Sequence, residues 1–202
     1  MISRWTNIFM WQILSIFVLF FIGGFKENRD QWQQPERIMD SLEIHEGMVI
    51  GEVGAGNGYF TFKLAQRVSM TGHIYANDIV SSELKEIAER CIKEKITHIT
   101  TILGKVEDPL FPLGQLDLVV MMLVFHDLEK PVPLINNIIP ALKAGARLVI
   151  IDPDVEKVKE NRVHFFSREK VLSIMKETKF ELVAVKEFLP RDNIYIFQVS
   201  NR

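Results

Sequence analysis

Glu52-Val53-Gly54-Ala55-Gly56-Asn57-Gly58-Tyr59 joins an apolar run, Met48-Val49-Ile50-Gly51, to an amphipathic stretch that continues to Val68. A short apolar run followed by helical periodicity reads as strand, tight turn and helix. Glycines at such a turn let the backbone approach a ligand closely, and amides at a helix N-terminus favour a negative group. Asp78 follows the next apolar run, 73–76, where a carboxylate can accept hydrogen bonds from both hydroxyls of a ribose. Taken singly, the glycines can be only a turn and Asp78 only a helix cap. Glu52 can be a buried carboxylate satisfied by loop amides. In sequence with one another they point to a ribose-bearing ligand.

The rest of the chain alternates in the same way. A short helix is expected at 34–42, with Pro35 in its first turn. Further strands are expected at 97–103, 116–123 and 146–151. A helix capped by Ser81 or Ser82 carries an apolar stripe of Leu84, Ile87, Ala88, Cys91 and Ile92. Helices are also expected at 133–143, with Pro140 as a kink, and at 167–178. Segments 181–188 and 194–199 form a hairpin around Pro190-Arg191-Asp192-Asn193. Strands that alternate with helices imply parallel crossovers and a sheet covered on both faces, with the hairpin adding antiparallel pairing at one edge.

Lys plus Arg total 24 against 26 Asp plus Glu, a net charge of −2, so nothing in the charge balance points to a nucleic-acid partner. A hydrophobic content of 48% excludes a disordered or fibrous chain. Cys91 is the single cysteine, which excludes an intrachain disulfide, a CxxC pair and a cysteine-rich zinc site. The first 27 residues read as a unit apart from the domain at 28–202. No charge occurs from Trp5 to Phe25, a length that gives roughly 30 Å of helix, the thickness of a bilayer core. A retained single-pass anchor, a cleaved export signal and a buried core helix are the three readings of this stretch. Lys26 and Arg29 on one side and Arg4 on the other fix no orientation.

The spacing then separates cofactors. A dinucleotide fingerprint is G-x-G-x-x-G, whereas here the glycines stand at 54, 56 and 58 and Tyr59 occupies the third dinucleotide position. The E-x-G-x-G-x-G pattern resembles the first motif of the class I S-adenosylmethionine-dependent methyltransferases. The resemblance extends over nearly all of the chain from Arg29 and includes Asp78, Leu116-Asp117-Leu118-Val119-Val120, the stretch from Leu142 to Asp152 and the terminal hairpin. The lead segment Arg29-Asp30-Gln31-Trp32-Gln33-Gln34-Pro35 is similar to that of a small bacterial subgroup with an N-terminal export or anchor segment.

The resemblance implies an α/β fold, a doubly wound and mostly parallel seven-stranded sheet with a C-terminal antiparallel hairpin, and S-adenosylmethionine as cofactor. It places Gly54, Ala55, Gly56 and Gly58 at the methionine end and Glu52 near the amino group. Asp78 falls on the ribose, Ile79 on the adenine, Val106 and Glu107 at the adenine edge, and Met121 and Met122 beside the cofactor. Lys105 and Leu123 depart from the pattern, since relatives often carry an acid at the first position and a polar or acidic residue at the second.

Methyl transfer from a sulfonium needs proximity and alignment more than a strong base. His126-Asp127 is the weak candidate for a base, with a structural histidine as the alternative. Trp32 can close over a substrate or mark a membrane interface. Asp152-Pro153-Asp154 can hold a metal or simply form a loop. His45, His73, His98 and His164 stand singly and suggest no metal site. The acceptor is not legible: no N-P-P-Y-type run comes after the fourth strand, and the membrane segment favours a small lipophilic or membrane-associated one. Two rival readings remain, a membrane-attached, catalytically inactive module that binds a ligand or partner, and a nucleotide-dependent reductase. Catalysis requires the domain to face the cytoplasm, where the cofactor is available. Export after signal cleavage is the alternative.

Overall fold

In the computed structural model, residues 29–158 and 163–200 are described. The candidate membrane stretch at 5–25 lies outside them. Two short helices, α1 (Arg29–Gln33) and α2 (Pro35–Ser41), precede β1 (Val49–Val53) and α3 (Tyr59–Val68). Then come β2 (His73–Asp78), α4 (Ser81–Glu94), β3 (Ile99–Leu103) and β4 (Leu116–Met122). A 3-10 turn at Phe125–Asp127 leads to α5 (Pro131–Ile138), β5 (Leu142–Pro153), α6 (Arg168–Met175), β6 (Phe180–Lys186) and β7 (Asp192–Val199).

The seven strands form one sheet in the order β3-β2-β1-β4-β5-β7-β6. The first five are parallel, and β7 runs antiparallel between β5 and β6. The hairpin therefore inserts its second strand into the sheet and leaves its first at the edge.

Alternation along the central strands explains the two-sided core. Ile50, Leu118, Val120, Met122, Val149, Ile151, Ile194 and Ile196 face α2 and α3, where Ile38, Met39, Leu42, Leu64 and Val68 meet them. The intervening residues Val119, Met121, Leu148, Ile150, Tyr195 and Phe197 face α5 and α6 through Leu134, Ile135, Ile138, Val171, Ile174 and Met175. Strands buried on both faces read as continuous apolar runs, as 116–123 does apart from Asp117.

Three local expectations are corrected. The helix expected over 133–143 is Pro131–Ile138; a 3-10 turn at Ile139–Ala141 contains Pro140, and β5 starts at Leu142 rather than 146. A proline lacks the N–H that would continue the helical ladder, so the helix stops instead of kinking. Neither serine caps α4: its N-cap is Val80, whose amide donates to Asp78 Oδ1 at 2.9 Å. The apolar stripe of α4 is buried at Leu84 and Ile87, but Ile92 is 80% exposed, because β3 is the edge strand and, among the described residues, no further strand lies beyond it to cover the helix.

Strand β1 has no spare volume at its centre. A Cβ on Gly51 would lie 2.8 Å from Leu116 Cδ1 and 2.9 Å from Phe111 Cζ. Gly51→Ala is expected to lower stability by about 1–3 kcal/mol through overpacking. Urea unfolding followed by circular dichroism measures it, with an unchanged midpoint as the contrary result.

Candidate active site

The strand order reverses at β1, since β2 and β3 lie on one side of it and β4 and β5 on the other. Crossovers then leave in opposite directions, and a crevice opens at the carboxyl ends of β1 and β4. The loop after β1 and the segment after β4 line that crevice.

Two adjoining cavities occupy it. One, of about 180 Å³, is bordered by Arg29, Glu52, Gly54, Ala55, Gly56, Tyr59 and, from β4 and its exit, Met122 and Leu123. The other, of about 220 Å³, is bordered by Gly54, Asn77, Asp78, Ile79, Lys105, Val106, Val124 and Asp127. Gly54 is common to both, so together they form a trough that reaches the range of about 300–1,000 Å³ usual for small-molecule sites.

The three glycines of the loop have different duties. All take positive φ: 71° at Gly54, 51° at Gly56 and 89° at Gly58. A Cβ on Gly54 would strike Val124 Cγ2 at 2.5 Å, and one on Gly58 would strike Phe62 Cε2 at 2.7 Å. Those two let the loop pack. A Cβ on Gly56 would meet nothing nearer than Glu83 Oε2 at 4.0 Å, so Gly56 leaves open space in the first cavity.

Asp78 ties the loop to the second strand. Its Oδ2 accepts from the Gly56 amide at 2.9 Å and its Oδ1 from the Val80 amide. Ile79, 57% exposed for all its apolar surface, forms one wall of the second cavity beside Val106. Glu107 lies further out, where its carboxylate pairs with Lys130 and its carbonyl accepts from Asn137 Nδ2 at 2.9 Å. Met121 is wholly buried in the core on the α5 side, whereas Met122 reaches the first cavity. Leu123 comes next with φ 58°, a conformation uncommon for a residue with a side chain, and its amide donates to Ile151 O at 2.8 Å.

Glu52 lies on the same face of β1 as Ile50, beneath α3, and Thr61 Oγ1 donates to its Oε2 at 2.5 Å. Burial pushes its carboxyl up to about 8, against the Thr61 hydrogen bond and the Arg29 charge. Arg29, from α1, stacks 3.6 Å over the Tyr59 ring and borders the same cavity. Tyr59 in turn donates to Asp30 Oδ1 at 2.6 Å. These contacts hold α1 across the Glu52 end of the trough, and pattern alone gave no sign of them. Trp32, also on α1, lies under the Arg191 guanidinium at 4.7 Å.

His126 is oriented by a residue remote in sequence. Its Nδ1 lies 2.9 Å from Asp152 Oδ1, and Asp152 is 1% exposed. The expected partner, Asp127, is 3.4 Å from the other ring nitrogen. Burial works against the imidazolium, but the Asp152 hydrogen bond and the charges of Asp152, Asp127 and Asp192 outweigh it and hold the His126 pKa above its ordinary value. Asp152 and Pro153 belong to β5 rather than to a loop, and Asp154 accepts from Asn193 Nδ2 at 2.6 Å.

The methyltransferase domain family model matches residues 44–188. Among solved structures, a SAM-dependent methyltransferase from Aquifex aeolicus superposes with a TM-score of 0.80 at 21% identity, covering 87% of this chain and 94% of that one. The chain is 29% identical over 83 residues to nocamycin O-methyltransferase of Saccharothrix syringae, 41% of this chain and 30% of that protein. It is 36% identical over 66 residues to protein-L-isoaspartate O-methyltransferase of Methanothrix thermoacetophila, 32% of this chain and 31% of that protein. The chain thus spans about a third of the length of the curated relatives it matches. With the family match covering most of the sheet and the whole glycine loop, the chain belongs to the methyltransferase domain family.

Proposed function

We propose that this chain binds S-adenosylmethionine in the trough and transfers its methyl group to a small, lipophilic or membrane-associated acceptor. The observation that carries this reading is the open space at Gly56 beside Asp78, in a family whose members are methyltransferases. Glu52, Gly54, Ala55, Gly56 and Gly58 would hold the methionine end, with Met122 below. Asp78 would take the ribose, and Ile79 and Val106 the adenine. Glu107 would lie at the adenine edge, and Met121 would support from the core.

S-adenosylmethionine brings a methyl group already made electrophilic by its sulfonium. The chain's own contribution is placement and exclusion of water, which can supply much of the rate. Arg29 and Tyr59 close one end of the trough, and Leu123 and Val124 form its wall towards β4. Both curated relatives carry O-methyltransferase in their names, which puts oxygen acceptors first among those to test. The uncharged stretch at 5–25 supports membrane attachment, and catalysis needs the domain on the cytoplasmic side, where the cofactor is available. Proximity then favours a lipophilic acceptor.

Titration calorimetry with S-adenosylhomocysteine tests the cofactor assignment. Asp78→Ala should weaken binding by about 1.5–3 kcal/mol, the loss of charge-assisted hydrogen bonds. Gly56→Ala should keep its circular dichroism and lose at least about tenfold in affinity, since the new methyl enters the cavity. Wild-type affinity in both variants would remove the trough from the function.

Glu52 gives the binding a pH dependence. Its pKa of about 8 means that it holds a proton near neutrality in the free protein. A ligand ammonium favours the ionised form and lowers that pKa. Binding at about pH 7 should therefore release a proton, and affinity should rise with pH up to about 8. Calorimetry in buffers of different ionisation enthalpy measures the release, which Glu52→Gln should abolish.

For the membrane assignment, the full chain should stay with membranes through carbonate extraction, and protease should reach its domain only after the cells are opened. Domain digested from outside intact cells would count against catalysis.

A further inference from the structure

We infer that His126, Asp127 and His164 form a three-ligand site for a divalent first-row transition metal beside the cofactor trough. One donor atom from each of the three lies within 4.8 Å of the others. His126 Nε2 is 3.4 Å from Asp127 Oδ2, and His164 Nε2 is 3.2 Å from Asp127 Oδ1. Around a tetrahedral ion with bonds of about 2.0–2.1 Å, neighbouring donors stand roughly 3.3 Å apart. The two histidine–aspartate spacings are close to that, each through a different oxygen of Asp127, and the three donors need to draw in only from within 4.8 Å of one another.

A buried carboxylate stands behind the cluster. His126 Nδ1 lies 2.9 Å from Oδ1 and 3.0 Å from Oδ2 of the buried Asp152. With Nδ1 committed there, Nε2 is the nitrogen left to bind, and it faces Asp127 and His164. A carboxylate behind a ligating histidine fixes its tautomer and ring orientation and raises its basicity. Phe165 packs edge-on to the same ring at 5.0 Å and holds it from a second side. Ordinary surface histidines lack both supports: the His126 side chain is only 5% exposed, against 56% for His164.

Two imidazoles and one carboxylate suit Zn²⁺, Fe²⁺ and Co²⁺ better than Mg²⁺ or Ca²⁺, which take oxygen ligands. Three protein donors leave at least one position for water or for an oxygen or sulfur donor of a small molecule. Asp127 also borders the larger cavity, so the ion would sit at the rim of the trough. The site depends on the donor atoms and not on methyl transfer.

The test uses the full-length, untagged chain, freed of metal by a chelator and titrated anaerobically with Co²⁺. One Co²⁺ per chain should bind with visible absorption of low-symmetry coordination, and Zn²⁺ but not equimolar Mg²⁺ should displace it. His164→Ala should weaken Co²⁺ binding at least tenfold, and Asp152→Asn about 10–100-fold through the loss of support to His126. His73→Ala, on a ring remote from the cluster, should change nothing. The His164 ring is exposed, so that variant remains decisive if Asp152→Asn does not fold. Absence of Co²⁺ binding, full competition by Mg²⁺, or unchanged affinity in His164→Ala would overturn the site. S-adenosylhomocysteine titration of the same metal-free sample reports separately on the trough.

Discussion

The reversal of strand order at β1 is the constraint on which the site depends. Parallel strands that leave β1 in opposite directions cannot close the sheet's carboxyl edge at that point, and the gap must be lined by the segments that leave β1 and β4. The segment leaving β1 is a loop that needs three left-handed residues in five positions, and glycine adopts that conformation without a Cβ penalty. The segment leaving β4 begins with Leu123, also left-handed, and then Val124, which fills the space where a side chain on Gly54 would have been. The loop and the β4 exit are therefore packed against each other, and the trough is the space left on either side of that contact.

Charge is distributed unevenly along this edge. Glu52 is buried under α3 with Thr61 as its neutral partner, and Arg29 reaches the same region from α1. Burial raises the pKa of that carboxyl despite the Arg29 charge, and in the proposed function a ligand ammonium draws off its proton. Asp78 is placed differently, with both oxygens receiving backbone amides from the two segments that it joins. Burial thus disfavours the charge of one acid, while the other holds the walls of the trough in register.

A third acid, Asp152, acts through a neighbour. It is the penultimate residue of β5, opposite Asn193, and its carboxylate fixes His126. Histidine and aspartate meet there because β4 and β5 are adjacent parallel strands, so that residues near their carboxyl ends are brought side by side. The proposed metal site arises from this adjacency together with His164, which returns from the segment before α6.

The glycine spacing, the acid at Asp78 and the alternating apolar runs were enough to specify the strand–turn–helix unit, the mostly parallel sheet and the terminal hairpin. These depend on local conformational preference and on periodicity, which neighbouring residues carry by themselves. Helix ends were less legible, as Pro140 and Val80 show, because a boundary is decided by which backbone groups find partners. Glu52, Gly56 and Asp78 were recognisable as a group. The different duties of Gly54, Gly56 and Gly58 were not, since they depend on Val124, Phe62 and open space that only packing reveals. The sequence pairs His126 with Asp127, its neighbour along the chain, and leaves His164 alone. Tertiary structure pairs His126 with Asp152 and brings His164 to Asp127, because side-chain proximity across a sheet edge is set by strand order and loop return rather than by separation along the chain.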